Sequence, residues 1–289
     1  MKKSRGFDIG IIAVFTILSL ITVYPFYNVF IVSISNTVAV ATHTPYILPY
    51  TFDLTGYKTI MQDFQFINSL LVSLFVTIFG VIINMFLAVI AGYVLSRKYL
   101  QGRNYMLTFI IFTMLFSGGL VPTYLVIKDL GLINSLWSMI LPTAMNTYYL
   151  IIIKNYFQGL PDGYFEAAKI DGAGEWTMLW RIAVPLAKPI IATFILFFAV
   201  DRWNEWYNAL LYISDTSKIP LQIYLRDILV SLNSQLTTQA QQMVGASDKV
   251  SSSSIQMATI VLTALPIMLI YPFLQKYFVN GVMVGGIKE

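Results

Sequence analysis

Charge is scarce in this chain of 289 residues: only 11% are charged, 57% are hydrophobic, and the mean hydropathy is +0.71. A soluble domain carries about 25% charged residues. So few charges cannot build a water-facing surface, so lipid must solvate much of the chain. Cysteine is absent, which excludes disulfides, thiolate zinc sites and cysteine nucleophiles. His43 is the single histidine, which argues against a histidine-rich metal site and against a serine–histidine pair elsewhere. No G-x-x-x-x-G-K-[ST], H-E-x-x-H or G-x-S-x-G run occurs. Catalytic and metal-binding residues are therefore not expected, and the chain is not read as an enzyme. The net charge of +4 would suit nucleic acid, but the basic residues lie at the ends of apolar segments and read as membrane orientation instead.

What is present is long apolar runs. A helix crossing the hydrocarbon core needs about 20 mostly apolar residues. Six segments qualify: Ile9–Ile34, Ile67–Leu95, Tyr105–Ile127, Leu132–Ile153, Leu186–Tyr207 and Ile255–Phe278. The fifth is the weakest, its clean run covering only Ile190–Val200, with Lys188 and Arg202 expected to snorkel from its ends. Pro25, Pro122, Pro142, Pro266 and Pro272 fall within spans and predict kinks, which neighbouring helices can accommodate. The first run follows Lys2, Lys3 and Arg5, and Ala39-Val40-Ala41 resembles a cleavage site. The run is much longer than a signal h-region of about 7–15 residues, so it is expected to be an uncleaved span.

Lysine and arginine set the orientation. With the N-terminus inside, 12 of the 18 basic residues face inward, Arg97, Lys98, Arg103, Lys154 and Arg181 among them. Lys58, Lys128, Arg202, Lys218, Arg226 and Lys249 then face outward. Both termini are therefore expected to be cytoplasmic. Asn36–Phe66 and Asn208–Ser254 become outside loops, the second ending in a Ser/Gln-rich stretch, Ser231–Ser254, expected to be mobile or shaped by a partner. The chief inside loop runs from Lys154 to about Pro185.

That loop reads as two short helices. Asp162 is placed to N-cap Gly163–Ile170, and Gly172 to occupy C′. Glu175 falls in the first turn of a second helix, where a carboxylate complements the helix dipole. This helix is expected to end before Pro185, because the residue preceding a proline is driven from the helical region. Ala167, Ala168 and Gly172 are small enough for another protein surface to approach, and Glu166 needs a partner or water. The same residues equally suit an amphipathic hairpin packed under its own bundle.

Glu166-Ala167-Ala168, then Asp171-Gly172-Ala173, then Ile182-x-x-Pro185 and Pro189, resemble the EAA loop of ABC importer permeases. The resemblance extends along the chain and is closest to the maltose-type carbohydrate uptake subfamily. Gly131-Leu-Ile-Asn134, Leu141-Pro142, Lys154-Asn-Tyr-Phe157, Trp203-Asn204 and Gly281–Lys288 are also similar to that group. Gly174 departs from it, standing where many relatives have serine.

The resemblance implies an all-α integral membrane protein of six transmembrane helices with a cytoplasmic coupling-helix loop. Residues 1–289 would form one transmembrane domain of the type I importer fold, with 154–185 as its EAA loop. Glu166, Ala167, Ala168, Asp171, Gly172, Ala173 and Pro185 would then seat against a separate cytoplasmic ATPase. The partners implied are a second homologous permease, as a heterodimer, two ABC ATPase subunits and an extracytoplasmic solute-binding protein. This chain would bind no cofactor, ATP and Mg being held by the ATPase. The location implied is a prokaryotic plasma membrane. The Gly281–Lys288 tail could reach the ATPase dimer interface.

Polar residues within spans are costly and often functional. Asn84 and Asn146 are candidates to line a substrate path, and an interhelical hydrogen bond accounts for each equally well. Tyr148 and Tyr149 offer ring faces to a sugar, or simply pack. Asp201-Arg202-Trp203-Asn204-Glu205-Trp206-Tyr207 joins carboxylates, an arginine and aromatics near the outer end of span five. Asp201, Trp203 and Asn204 are read as outer-gate or binding-protein contacts. Trp206 and Tyr207 are read as an interfacial belt, with an Arg202–Glu205 pair at i,i+3. The function expected is alternating-access import of an oligosaccharide or related glycan. An ABC permease for another polar solute is the near alternative. An ion-coupled secondary transporter would call for paired ionisable residues at mid-membrane and inverted repeats, and neither is apparent. A membrane anchor or sensor would leave the EAA-like loop without a purpose.

Overall fold

The computed structural model describes residues 5–36, 48, 51–240 and 253–272, with the backbone alone for 5–8 and 232–240. The cleavage-like Ala39–Ala41, His43, residues 273–278 of the sixth expected span and the Gly281–Lys288 tail lie outside the described residues, as do residues 241–252 of the Ser/Gln-rich stretch. Among the described residues the regular structure is helical, apart from one isolated antiparallel bridge, Ser35–Phe52. Three helices are long and apolar enough to cross a membrane: α1 (Arg5–Ser33), α3 (Phe64–Ser96) and α12 (Ser253–Pro272). Three bent pairs pass the same test together, which makes six crossings if each pair is one span.

Spans three, four and five are each bent at a break. Span three is α4 (Arg103–Leu115) and α5 (Leu120–Asp129), meeting at 113°. The break falls on Ser117-Gly118-Gly119, where Gly119 takes φ +89°, a conformation that side chains oppose. Span four is a 3₁₀ stretch, Leu136–Met139 and Leu141–Thr143, followed by α6 (Thr147–Gln158) at 51°. Pro142 is the second residue of the second 3₁₀ turn, where its missing N–H costs no helical bond.

The loop after span four holds α7 (Asp162–Ile170) and α8 (Glu175–Met178). The second helix does not stop before Pro185. It continues through a π turn, Leu179–Ala183, and a last turn, Val184–Leu186, and then meets α9 (Lys188–Trp203) at 84°. A π turn adds a residue to the backbone cycle, which lets the proline be carried one turn further. After α9 come α10 (Tyr207–Tyr212) and α11 (Leu221–Ala240), so residues 231–240 are helical rather than loose. The loop between the first two spans also holds a helix, α2 (Thr55–Gln62).

The chain divides into two compact units, Met1–Ile67 with Tyr224–Pro266, and Asn68–Ile223 with Ile267–Glu289. In the first unit, the Tyr224 hydroxyl donates to Asp63 at 2.7 Å, and Gly56 lies against the Ser254 carbonyl and the Ala258 methyl. None of the apolar window of α1 is buried by the protein. Its large side chains must therefore meet lipid or another chain. The second unit has a core of buried residues that includes Tyr93, Ile153, Phe157, Phe165, Phe194 and Phe198. That core fastens the inside loop to spans two, four and five.

Candidate functional site: a polar span-five cluster and an exposed inside hairpin

Two places in the second unit gather the residues singled out from sequence. The first surrounds Arg202. It does not snorkel: it is 3% exposed, held inside the protein by hydrogen bonds. Its Nη1 donates to the Met139 carbonyl at 2.7 Å and to Thr143 Oγ1 at 2.8 Å. Its Nη2 donates to Asn84 Oδ1 at 2.9 Å, the Thr143 carbonyl at 2.7 Å and the Ile140 carbonyl at 3.2 Å. The expected i,i+3 partner Glu205 stands 3.9 Å from Nη1. Burying a charge is costly unless it is paired and hydrogen-bonded. The broken span four supplies that compensation, because its 3₁₀ carbonyls point at the cation.

Asn84 is therefore a buried acceptor for Arg202, 2% exposed. Asn146 N-caps α6, its Oδ1 accepting from Tyr149 N at 3.2 Å. Tyr149 packs in a ring cluster with Phe194, Phe197 and Phe198, and its hydroxyl donates to Asp201 at 3.1 Å. Asn204 ends α9, donating to the Val200 carbonyl at 2.9 Å and accepting from Gln222 at 3.1 Å. Trp203 is 5% exposed and packs in the interior of the chain. Trp206 and Tyr207 are exposed, as an interfacial belt requires. Asn84, Thr143, Asn146, Phe198, Asp201, Arg202 and Glu205 together line a cavity of about 220 Å³. Carboxylate, amide and hydroxyl groups share that wall with apolar surface, and the guanidinium Nη groups are committed to protein acceptors. Thr143, and Gly80 against which the arginine stem lies, were not legible as site residues.

The second place is the inside hairpin. Asp162 is the first residue of α7 rather than its cap: Pro161 takes the cap position and no side chain bonds there. Gly172 behaves as expected, at φ +77°. Its N–H donates to the Lys169 carbonyl at 3.0 Å, while Ala173 N–H donates to the Ala168 carbonyl at 2.8 Å. This is the paired C-terminal motif that calls for glycine. Glu166, Ala167, Asp171, Gly172 and Pro185 are exposed and Ala173 is half-buried. Ala168 is the exception to the small docking face, being 8% exposed and packed into the hairpin's own core. Ile170 is 86% exposed at the tip.

Glu175 opens α8 and ties it to span two. Tyr93 Oη donates to its carboxylate at 2.9 Å, and Tyr99 Oη donates to the other carboxylate oxygen. Burial alone raises the Glu175 pKa, but the donors Tyr99 and Tyr93, with Lys169 and Arg97 nearby, leave it below its ordinary value. Burial, followed by the Glu175 contact, pushes the Tyr99 phenol up to about 12. The Arg97 guanidinium lies 3.7 Å from the centre of the Phe165 ring and 4.2 Å from that of Tyr93. Neither arrangement was visible in the sequence.

The family described as "Binding-protein-dependent transport system inner membrane component" matches residues 10–284. Protein LplC of Bacillus subtilis (strain 168) is 43% identical over 287 residues, covering 99% of this chain and 96% of that protein. The polygalacturonan/rhamnogalacturonan transport system permease protein YtcP of the same organism is 41% identical over 286 residues, covering 99% of each chain. Among solved structures, a chain of a bacterial ABC transporter involved in the import of the acidic polysaccharide alginate superposes with a TM-score of 0.88. It is 33% identical, covering 96% of this chain and 99% of that one.

Proposed function

This chain belongs to the family of binding-protein-dependent transport system inner membrane components, and from that membership we propose that it is the permease subunit of an ATP-driven importer for an oligosaccharide or related glycan. Residues 1–289 act as one transmembrane domain, with 154–185 as its coupling loop and both termini in the cytoplasm of a prokaryotic cell. The observation that carries this reading is the hairpin. A glycine-terminated helix presents Glu166, Ala167, Gly172 and the bare Ile170 outward while its other face is fixed to the bundle. An exposed apolar tip beside a carboxylate and small residues suits the cleft of another protein.

A separate ATPase dimer carries ATP and Mg, and this chain binds no cofactor of its own. Closure of that dimer pulls the hairpin and turns the bundle between inward- and outward-facing states. A second homologous permease completes the path as a heterodimer, and an extracytoplasmic binding protein delivers the solute. The glycan assignment draws on the polysaccharide named for YtcP and the alginate named for the structural relative. It is supported by the cavity at Asp201, whose oxygens accept hydrogen bonds from sugar hydroxyls and whose Phe198 offers an apolar ring edge.

Gentle detergent purification of the chain from its native membrane tests the proposal. Co-purification of an ATPase and a second six-helix permease is the expected result, and the neighbouring binding protein can then be screened against glycans. Recovery of the chain alone, still moving solute down an ion gradient, would refute it.

A further inference from the structure

We propose that Arg97 is a positioning residue that joins the inside hairpin to the end of span two, so that the two move as one body when the hairpin is pulled. The inference rests on reading the hairpin as the ATPase-docking element. Arg97 lies just beyond α3, and its guanidinium lies against a ring of the hairpin and a ring of the span, Phe165 at 3.7 Å and Tyr93 at 4.2 Å. Phe165 and Tyr93 are both buried, at 5% and 3% exposure, so neither face is free to solvent.

Arg97 Nε and Nη2 are themselves buried and have no hydrogen-bond partner. A buried donor left unbonded costs free energy. The ring faces are what compensate it here, through attraction between a cation and an aromatic quadrupole. Such a cation has little reason to stay if either ring leaves. That dependence makes the stack a link between the two elements rather than an ornament of one.

Two further contacts run along the same seam. Glu175 accepts from Tyr93 of the span and from Tyr99 just after it. Lys169, in the last turn of α7, sits 4.2 Å from the centre of the Tyr99 ring. The hairpin is thus gripped at Phe165, Lys169 and Glu175, on both of its helices, by residues within a short stretch of span two. Backbone connectivity joins the hairpin only to spans four and five. Its tie to span two is made by the shared apolar core and by these polar and cationic contacts, among which Arg97 touches a ring of each element.

The test uses the whole importer purified with its ATPase. The chain has no cysteine, so nitroxides can be placed at Ile170→Cys on the hairpin and Ile82→Cys on span two, both exposed positions. Spin–spin distance distributions are read without nucleotide and after trapping with ATP and vanadate. With Arg97 present, the distribution should be narrow and the same in both states. In Arg97→Ala, a second, nucleotide-dependent distance should appear, its population raised about tenfold, within the range that loss of a cation–ring stack allows. Arg97→Lys, which keeps the cation but loses the flat stack, should fall between. Phe165→Leu breaks the link from the other side and serves if the alanine variant fails to assemble.

Distributions in Arg97→Ala and Phe165→Leu as narrow and nucleotide-indifferent as with Arg97 present would overturn the proposal. So would a shift on trapping in the unaltered chain, because the hairpin and span would then not be one body. Failure of any ATPase to co-purify is a separate result, which would overturn the docking reading itself.

Discussion

Replacing Arg202 should unlock span four. The side chain makes five donor contacts to Met139, Ile140, Thr143 and Asn84 and faces Glu205, all in a buried setting. Removing one partner of a buried, hydrogen-bonded charge pair costs about 3–5 kcal/mol. The five contacts share one side chain, so their separate values do not add, and that range is the appropriate total. Arg202→Ala should therefore lower the apparent melting temperature in detergent by about 10 °C. Arg202→Lys should lie between, since an ammonium has three donors and no fork. Gly80 sharpens the test. A Cβ there would stand 2.8 Å from Arg202 Cδ and 2.9 Å from Nε. Elsewhere an arginine stem would swing aside, but here the guanidinium is pinned at its far end. Gly80→Ala should be destabilising with Arg202 present and close to neutral in Arg202→Ala, a non-additivity that a double-mutant cycle measures. Additive effects, or native melting in Arg202→Ala, would show that the arginine does not hold the break.

Other consequences follow from the hairpin and the cap. Gly172→Trp should leave membrane insertion intact, since a Cβ there meets nothing of this chain within 4 Å and the strain of φ +77° stays local to the hairpin, while separating ATP hydrolysis from transport; normal transport would sink the docking assignment. Glu175 carries a lowered pKa, so its contribution to stability is present above the ordinary glutamate value of about 4.3 and is lost as pH falls through the lowered one. Melting of the native chain should fall through that acid window, and Glu175→Gln should flatten the dependence; an unchanged acid slope would contradict this. Asn146→Ala should cost about 1 kcal/mol through the lost cap on α6, read as a small drop in melting temperature. A loss several times larger would mean that the amide does more than cap.

The membrane class was legible because it depends on composition and run length, which need no tertiary knowledge. The apolar runs, the glycine stop at Gly172 and the Glu175 at a helix start likewise follow from local rules: one residue's conformational freedom, one helix end. Local rules failed where an element's fate depended on something distant. The run Tyr105–Ile127 reads as one helix because apolar content continues across Ser117-Gly118-Gly119, and hydropathy does not register a 113° bend. Pro185 reads as a stop because the π turn that carries the helix past it has no signature in residue order.

The site residues divide the same way. Asn84, Asn146 and Asp201 could be chosen from sequence because polar side chains are conspicuous in apolar runs, but their partners could not. Arg202 and Asn84 are 118 residues apart, and only the packing of span five against spans two and four brings them to 2.9 Å. A terminal arginine on an isolated span turns outward to water. This one turns inward because a broken neighbour offers carbonyls that a continuous helix would have used itself. Local composition and backbone preference were enough to assign the lipid solvent, the apolar runs and the form of the hairpin. The tertiary structure alone decided which charges are buried, where the spans break and what grips the hairpin, since those depend on hydrogen-bond and ring partners supplied from far along the chain.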